Sequence, residues 1–129
     1  GDISQGIPSV LQVAVSVNDA ALCGIILDFP EFQIDWDFRQ HGKNLFHRIA
    51  LHQNLKIFKM IVFGCQGHQA KIANLLNQST GKLTHLGEDT PLYYSYPSCE
   101  LANWMIRYGA DVKRLNFVQS FRHFKESRP

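Results

Sequence analysis

Long apolar runs are missing from this chain of 129 residues. No stretch approaches the roughly 20 consecutive apolar residues that a bilayer-spanning helix needs. The N-terminus lacks the basic region, apolar run and cleavage site of a secretory leader. Strong charge is missing too: Lys and Arg number 13 against 11 Asp and Glu, a net charge of +2. That balance is too small to argue for nucleic acid or a membrane surface as partner. Cysteine is scarce, and Cys23, Cys65 and Cys99 are odd in number and irregularly spaced. They read as free thiols serving as small core residues, which implies a reducing, intracellular and cytoplasmic setting. The G-x-S-x-G, phosphate-loop, H-E-x-x-H and dinucleotide signatures are all absent.

What is present suits a packed domain. Hydrophobic residues make up 45% and charged residues 19%, which separates the chain from disordered sequences. The length suffices for one domain with its own core, expected over 1–129. The end of the chain is the most basic part: Lys113, Arg114, Arg122, Lys125 and Arg128 sit near only Asp111 and Glu126. It reads as a solvated end rather than a docking patch.

The most informative stretch is LANWMIRYGADVKRLN, from Leu101 to Asn116. An apolar helix runs into Gly109, which can leave it in the left-handed conformation that Gly enters cheaply. Asp111 can hydrogen-bond within the turn, and Val112 returns the chain to packing. A second informative stretch is GKNLFHRIALHQNLKIFKMIV, residues 42–62. Asn44 suits a helix N-cap, and Phe46, Ile49 and Ala50 share one helical stripe. Gln53 and Asn54 fill a turn before a second helix that is apolar on a wide face. At TPLYYSY, Thr90 is an N-cap and Pro91 stands at the first helical position, where its missing N–H costs nothing. Pro97 and Ser98 break that helix before the next, Cys99 to Tyr108. At the front, Ser9 can cap a helix over SVLQVAV, followed by a turn at Asn18 and Asp19 and a helix from Ala20 to Leu27.

Together these segments resemble the ankyrin repeat, with its T-P-L-H start, paired helices and G-A-D end. The resemblance covers about three units, near 7–35, 40–64 and 87–113. It implies an all-α fold: an ankyrin-repeat solenoid of stacked helix-turn-helix units. Ser9 to Asn44 is 35 positions, close to one repeat, whereas Asn44 to Thr90 is 46, about 13 more than the usual unit of about 33. The excess falls at 64–82, an irregular insertion in which Gln69 to Asn77 forms a short helix with Ile72, Leu75 and Leu76 on one face. Such an insertion is either a protein-specific feature on an exposed loop or simply a long connection. Phe117, Val118, Phe121 and Phe124 suit a capping segment over 116–126.

Ankyrin proteins share a fold rather than a task. The resemblance implies protein binding through loop tips and the exposed sides of the first helices along a concave face. On this chain that surface comprises Trp36, Phe38, Arg39, His41, Lys43, Arg48 and His52, with His85, Glu88 and Tyr94 in the third unit. Trp, Tyr and Arg are common interface anchors, although Trp36 and Phe38 can equally pack from their loop onto the core. No cofactor or metal is implied, and a monomer or weak self-association is expected. The alternative is a structural or targeting repeat segment of a larger protein whose activity lies outside this chain, such as a pathogen effector, since divergent short arrays also occur in viral and bacterial proteins acting inside host cells.

Catalysis is weighed against structure at two places. His47 could be a base, but its place in the resemblance implies hydrogen bonds that tie a helix start to a loop. Cys65 and His68 form C-x-x-H, yet no second pair with ligand spacing completes a zinc site. An enzyme would need Cys65 or Cys99 beside a His in a deep pocket. The expectation is therefore a non-enzymatic module.

Overall fold

Side chains just ahead of five of the helices satisfy amides that the helix itself leaves free. The computed structural model describes residues 9–115. Ser9 accepts the Gln12 amide at 3.2 Å and opens α1, Val10–Ser16. Asp19 accepts the Leu22 amide at 3.0 Å and opens α2, Ala20–Asp28. Asn44 opens α3, Leu45–His52, by accepting from Phe46 and His47, while His47 Nδ1 accepts the Asn44 amide at 3.1 Å. This reciprocal capping box fixes the imidazole at the helix start. Asn54 opens α4, Leu55–Gly64, and Ser98 opens α7, Cys99–Arg107. Thr90 precedes α6, Pro91–Ser95, without a side-chain cap, and Pro91 presets its first turn.

The helices pack as pairs in two rows. The first helices lie side by side, α1 against α3 and α3 against α6. The second helices do the same, α2 against α4 and α4 against α7. Their inward side chains form one buried cluster from Leu11 to Leu115, centred on Phe46, Ile49, Ile57, Phe58 and Ile61. Phe46 and Phe58 meet edge to face with centroids 5.6 Å apart, an arrangement favoured by the ring quadrupole. Ala50, fully buried, gives α4 room to approach α3.

Turns complete the pairs. Gln53 takes φ of 51° between α3 and α4. After α7, Gly109 takes φ of +114°. Its amide donates to Ile106 O at 3.0 Å and the Ala110 amide to Met105 O at 2.9 Å. This is a Schellman ending. Between α2 and α3, Gln40 and Lys43 bridge across His41 and Gly42, both with positive φ, the pattern of a type I′ hairpin tip.

Two differences from the sequence expectation stand out. The chain is mostly helical but not wholly so: β1, Leu83–Thr84, pairs antiparallel with β2, Gly87–Glu88, ahead of α6. The excess segment is also no exposed loop. A 3-10 turn at Gln66–His68 leads into α5, Gln69–Leu76, whose Ile72, Leu75 and Leu76 are fully buried. Those three side chains join the central cluster because α5 packs on α3. The expected capping segment 116–126, and residues 7 and 8 of the first expected unit, lie outside the described residues. No helix among the described residues is long and apolar enough to cross a membrane.

Candidate functional site

The polar side chains converge on the seam where the start of α3 meets the stretch between α5 and α6. Asn44 Nδ2 donates to Leu75 O at 2.8 Å and to Gln78 Oε1 at 2.9 Å. His47 Nε2 lies 3.0 Å from Asp89 O. With Nδ1 accepting from the Asn44 amide, the neutral ring carries its proton on Nε2 and donates to that carbonyl. Burial pushes the His47 pKa down to about 4 from 6.5; the Asp89 carbonyl and carboxylate oppose this, while Arg39 and Lys43 add to it. His47 is therefore a fully buried neutral tie, with both nitrogens occupied by backbone groups. A general base needs a free nitrogen facing a substrate.

Asp89 is the second member of this seam. Its carboxylate accepts from Ser79 Oγ at 2.9 Å, the Thr80 amide at 3.0 Å, Thr80 Oγ1, and Tyr94 OH at 3.3 Å. Burial raises its pKa, but the hydrogen bonds from Thr80, Ser79 and Tyr94 outweigh that and lower it. Burial and the adjacent negative charge push Tyr94 up. Sequence reading passed over Asp89, because nothing local marks it: its partners Ser79 and Thr80 come from a different turn. The one hint is its place directly before the Thr90-Pro91 helix start.

The expected partner-binding residues fall into three groups. His41, at the hairpin tip, and His52 and His85 are exposed, and Lys43 is half-buried. His85 stands against Tyr93, and His52 Nε2 lies 3.0 Å from Ser16 O. The two arginines are committed to the fold. Arg39 donates to Gly42 O at 2.6 Å and Ser79 O at 2.8 Å, joining the tip to the seam. Arg48 donates to Gln40 Oε1 at 2.8 Å and reaches Ser16 Oγ on α1, and burial lowers its pKa. The aromatics pack inward. Phe38 is 6% exposed and cannot serve as a surface anchor, because its loop lays it on the core. Trp36 is half-buried, stacked near Phe46 and tilted on His68. Tyr94 is half-buried against His47, and Glu88 pairs with Arg114 at 3.2 Å.

Cys65 and His68 line an open cleft of about 480 Å³ between the 29–38 loop and the end of α4, beside Trp36 and Ile34. Burial pushes the Cys65 thiol up, the opposite of the lowering that activates a thiolate nucleophile. All three cysteines are free; Cys23 is buried, but Cys99 is exposed rather than a core residue, because α7 turns it outward at its first position. Among the described residues no group of three metal-ligating side chains converges. Compared with known proteins, the chain matches no family model, no curated protein and no solved structure.

Proposed function

We propose that this protein is a non-enzymatic interaction module, an ankyrin-like stack of helix pairs that binds a partner protein through its loop tips and first helices. The observation that carries the reading is the pair of rows: first helix on first helix, second helix on second helix. That is how repeat proteins bury a core that no single pair can bury alone. The Schellman ending at Gly109 and the buried tie from His47 to Asp89 support it. The hairpin tip at His41 and Gly42 and the hairpin carrying His85 project polar side chains from a scaffold fixed by Arg39 and Asp89. A frame presenting exposed His41 and His85, with half-buried Lys43 at the His41 tip, suits recognition with little ordering cost. Free thiols fit a partner met inside a cell, in reducing surroundings.

The test is capture from cell extract with the protein and with a variant carrying His41→Asn and Lys43→Glu. Asn keeps the left-handed turn position affordable, so equal melting temperatures are expected. A partner retained by the protein and lost by the variant supports the reading. Identical captured sets for both forms would remove the tip from the binding surface.

A further inference from the structure

The side of the first helix pair turned away from the rest of the molecule is apolar and open. On α1 and its end, Val10, Val13 and Val17 are exposed, and on α2 and its end, Leu22, Ile25 and Phe29 are exposed. Each set follows the spacing i, i+3, i+7, so each forms a ridge along one helix face. Ile25 is 69% exposed and Phe29 60%. Where the Val10 end of one ridge meets the Ile25–Phe29 end of the other, an open apolar groove of about 320 Å³ is lined by these three with Ile26 and Phe32. A contiguous apolar strip of this kind marks a contact surface more often than scattered apolar residues do.

The charges carried by the first helix pair and the loop after it are of one sign: across 9–38 the charged residues are Asp19, Asp28, Glu31, Asp35 and Asp37. Asp37 is paired with Lys71 of α5, and the basic groups that approach α1, Arg48 and His52, do so at Ser16. Asp19 stands at one end of α2, and Asp28 and Glu31 at the other, beside Phe29; all three are exposed. An apolar groove with an acidic rim at both ends repels a second copy of itself placed face to face, and it repels an anionic bilayer. It attracts a partner that is apolar on one side and basic on its flanks. Ridges spanning seven residues are about 10 Å long, two turns of helix.

We propose that the Val10–Phe29 groove receives a basic amphipathic helix of a partner protein, its apolar side chains seated between the two ridges and its Lys or Arg side chains against Asp19, Asp28 and Glu31. The groove shares no lining residue with the hairpin tips, so the proposal stands independently of them.

The test uses two fluorescent peptides of about 18 residues, long enough for two to three helical turns in contact. One carries Leu at i, i+3, i+7 and i+11 with Lys on its other positions; the other replaces each Lys by Glu. The protein binds the Lys peptide, and affinity falls as salt rises. Ile25→Lys, at an exposed position that leaves the fold intact by circular dichroism, weakens binding at least tenfold. Asp28→Asn with Glu31→Gln flattens the salt dependence. Equal binding of both peptides, equal binding by the Ile25→Lys variant, or no binding of the Lys peptide would overturn the proposal. So would a concentration-dependent dimer in sedimentation that Ile25→Lys abolishes, since a second copy would then be the occupant, or binding to anionic vesicles through the same ridge.

Discussion

The Nε2 of His47 and the main-chain oxygen of Asp89 lie 3.0 Å apart although 42 positions separate them in sequence. This bond joins the start of α3 to the turn that leads into α6; the second bond of the same ring, in which Nδ1 accepts the Asn44 amide, is the one that requires a neutral imidazole. Native His47 titrates near 4, below its ordinary 6.5. The unfolded chain therefore takes up a proton between about pH 6.5 and 4 that the native protein refuses, so stability falls as pH drops through that window. The gap corresponds to about 3 kcal/mol at its full extent. Urea unfolding at pH 7, 5.5 and 4.5 should show this decline. His47→Gln should be less stable at pH 7 and much flatter across the window; an unchanged slope in the variant would locate the pH dependence elsewhere.

Asp89 acts lower on the pH scale. Its carboxyl is held below the usual carboxylate value by donors from Ser79, Thr80 and Tyr94. That stabilisation is present above about pH 4 and is lost as pH falls through the native value. Asp89→Asn removes the charge that the donors from Ser79, Thr80 and Tyr94 stabilise and forces hydroxyls facing its N–H₂ to turn from donating to accepting. It should cost about 2–4 kcal/mol in chemical denaturation at pH 7, and a loss under about 0.5 kcal/mol would mean the network is weakly made.

Gly109 and Gly81 form a matched pair. Both have positive φ, but a Cβ on Gly109 would sit 2.6 Å from the Ala73 Cβ, whereas a Cβ on Gly81 meets nothing within 4 Å. Gly81→Ala should cost about 1 kcal/mol, from backbone conformation alone. Gly109→Ala should cost about 1–3 kcal/mol more, because α5 must move. Equal melting temperatures for the two variants would show that α5 gives way freely.

Leu75 tests whether α5 belongs to the core. It is fully buried, and its carbonyl accepts from Asn44. Leu75→Ala should destabilise by about 2–5 kcal/mol. A surface connection would tolerate the change within about 0.5 kcal/mol.

Local rules made much of this fold legible. Ser9 and Asn44 cap helices where short polar side chains precede apolar stripes, and Gly109 ends α7 with the conformation its residue type favours; Asn54 and Ser98, read from sequence as a turn residue and a helix breaker, are caps as well. The role of His47 was legible through the resemblance, since its spacing alone suits a base equally well. The burial of α5 was not, because its stripe of three apolar residues looks the same whether it covers a core or a loop. Phe38 and Trp36 pose the same difficulty: an aromatic in an irregular segment carries no period that says which way it points. Arg39 and Arg48 read as surface anchors by residue type, yet their partners Ser79 and Ser16 lie 40 and 32 positions away. Asp89 stayed hidden for the same reason, as its donors assemble only when the chain folds back.

The polar ties of this molecule are unevenly distributed. Those between α3 and the 75–89 stretch, through Asn44 and His47, are sealed from water. Those between α1 and its neighbours, Asn54 to Asn18 and His52 to Ser16, lie at the surface, where solvent competes for each group. The protein thus has a hard end and a soft end. Amide protons in α1 and α2 should therefore exchange with solvent through local openings sooner than those of α3, which hydrogen exchange followed by mass spectrometry would read. The groove sits on that softer end, so a partner that settles there should slow exchange in α1 and α2 as it binds.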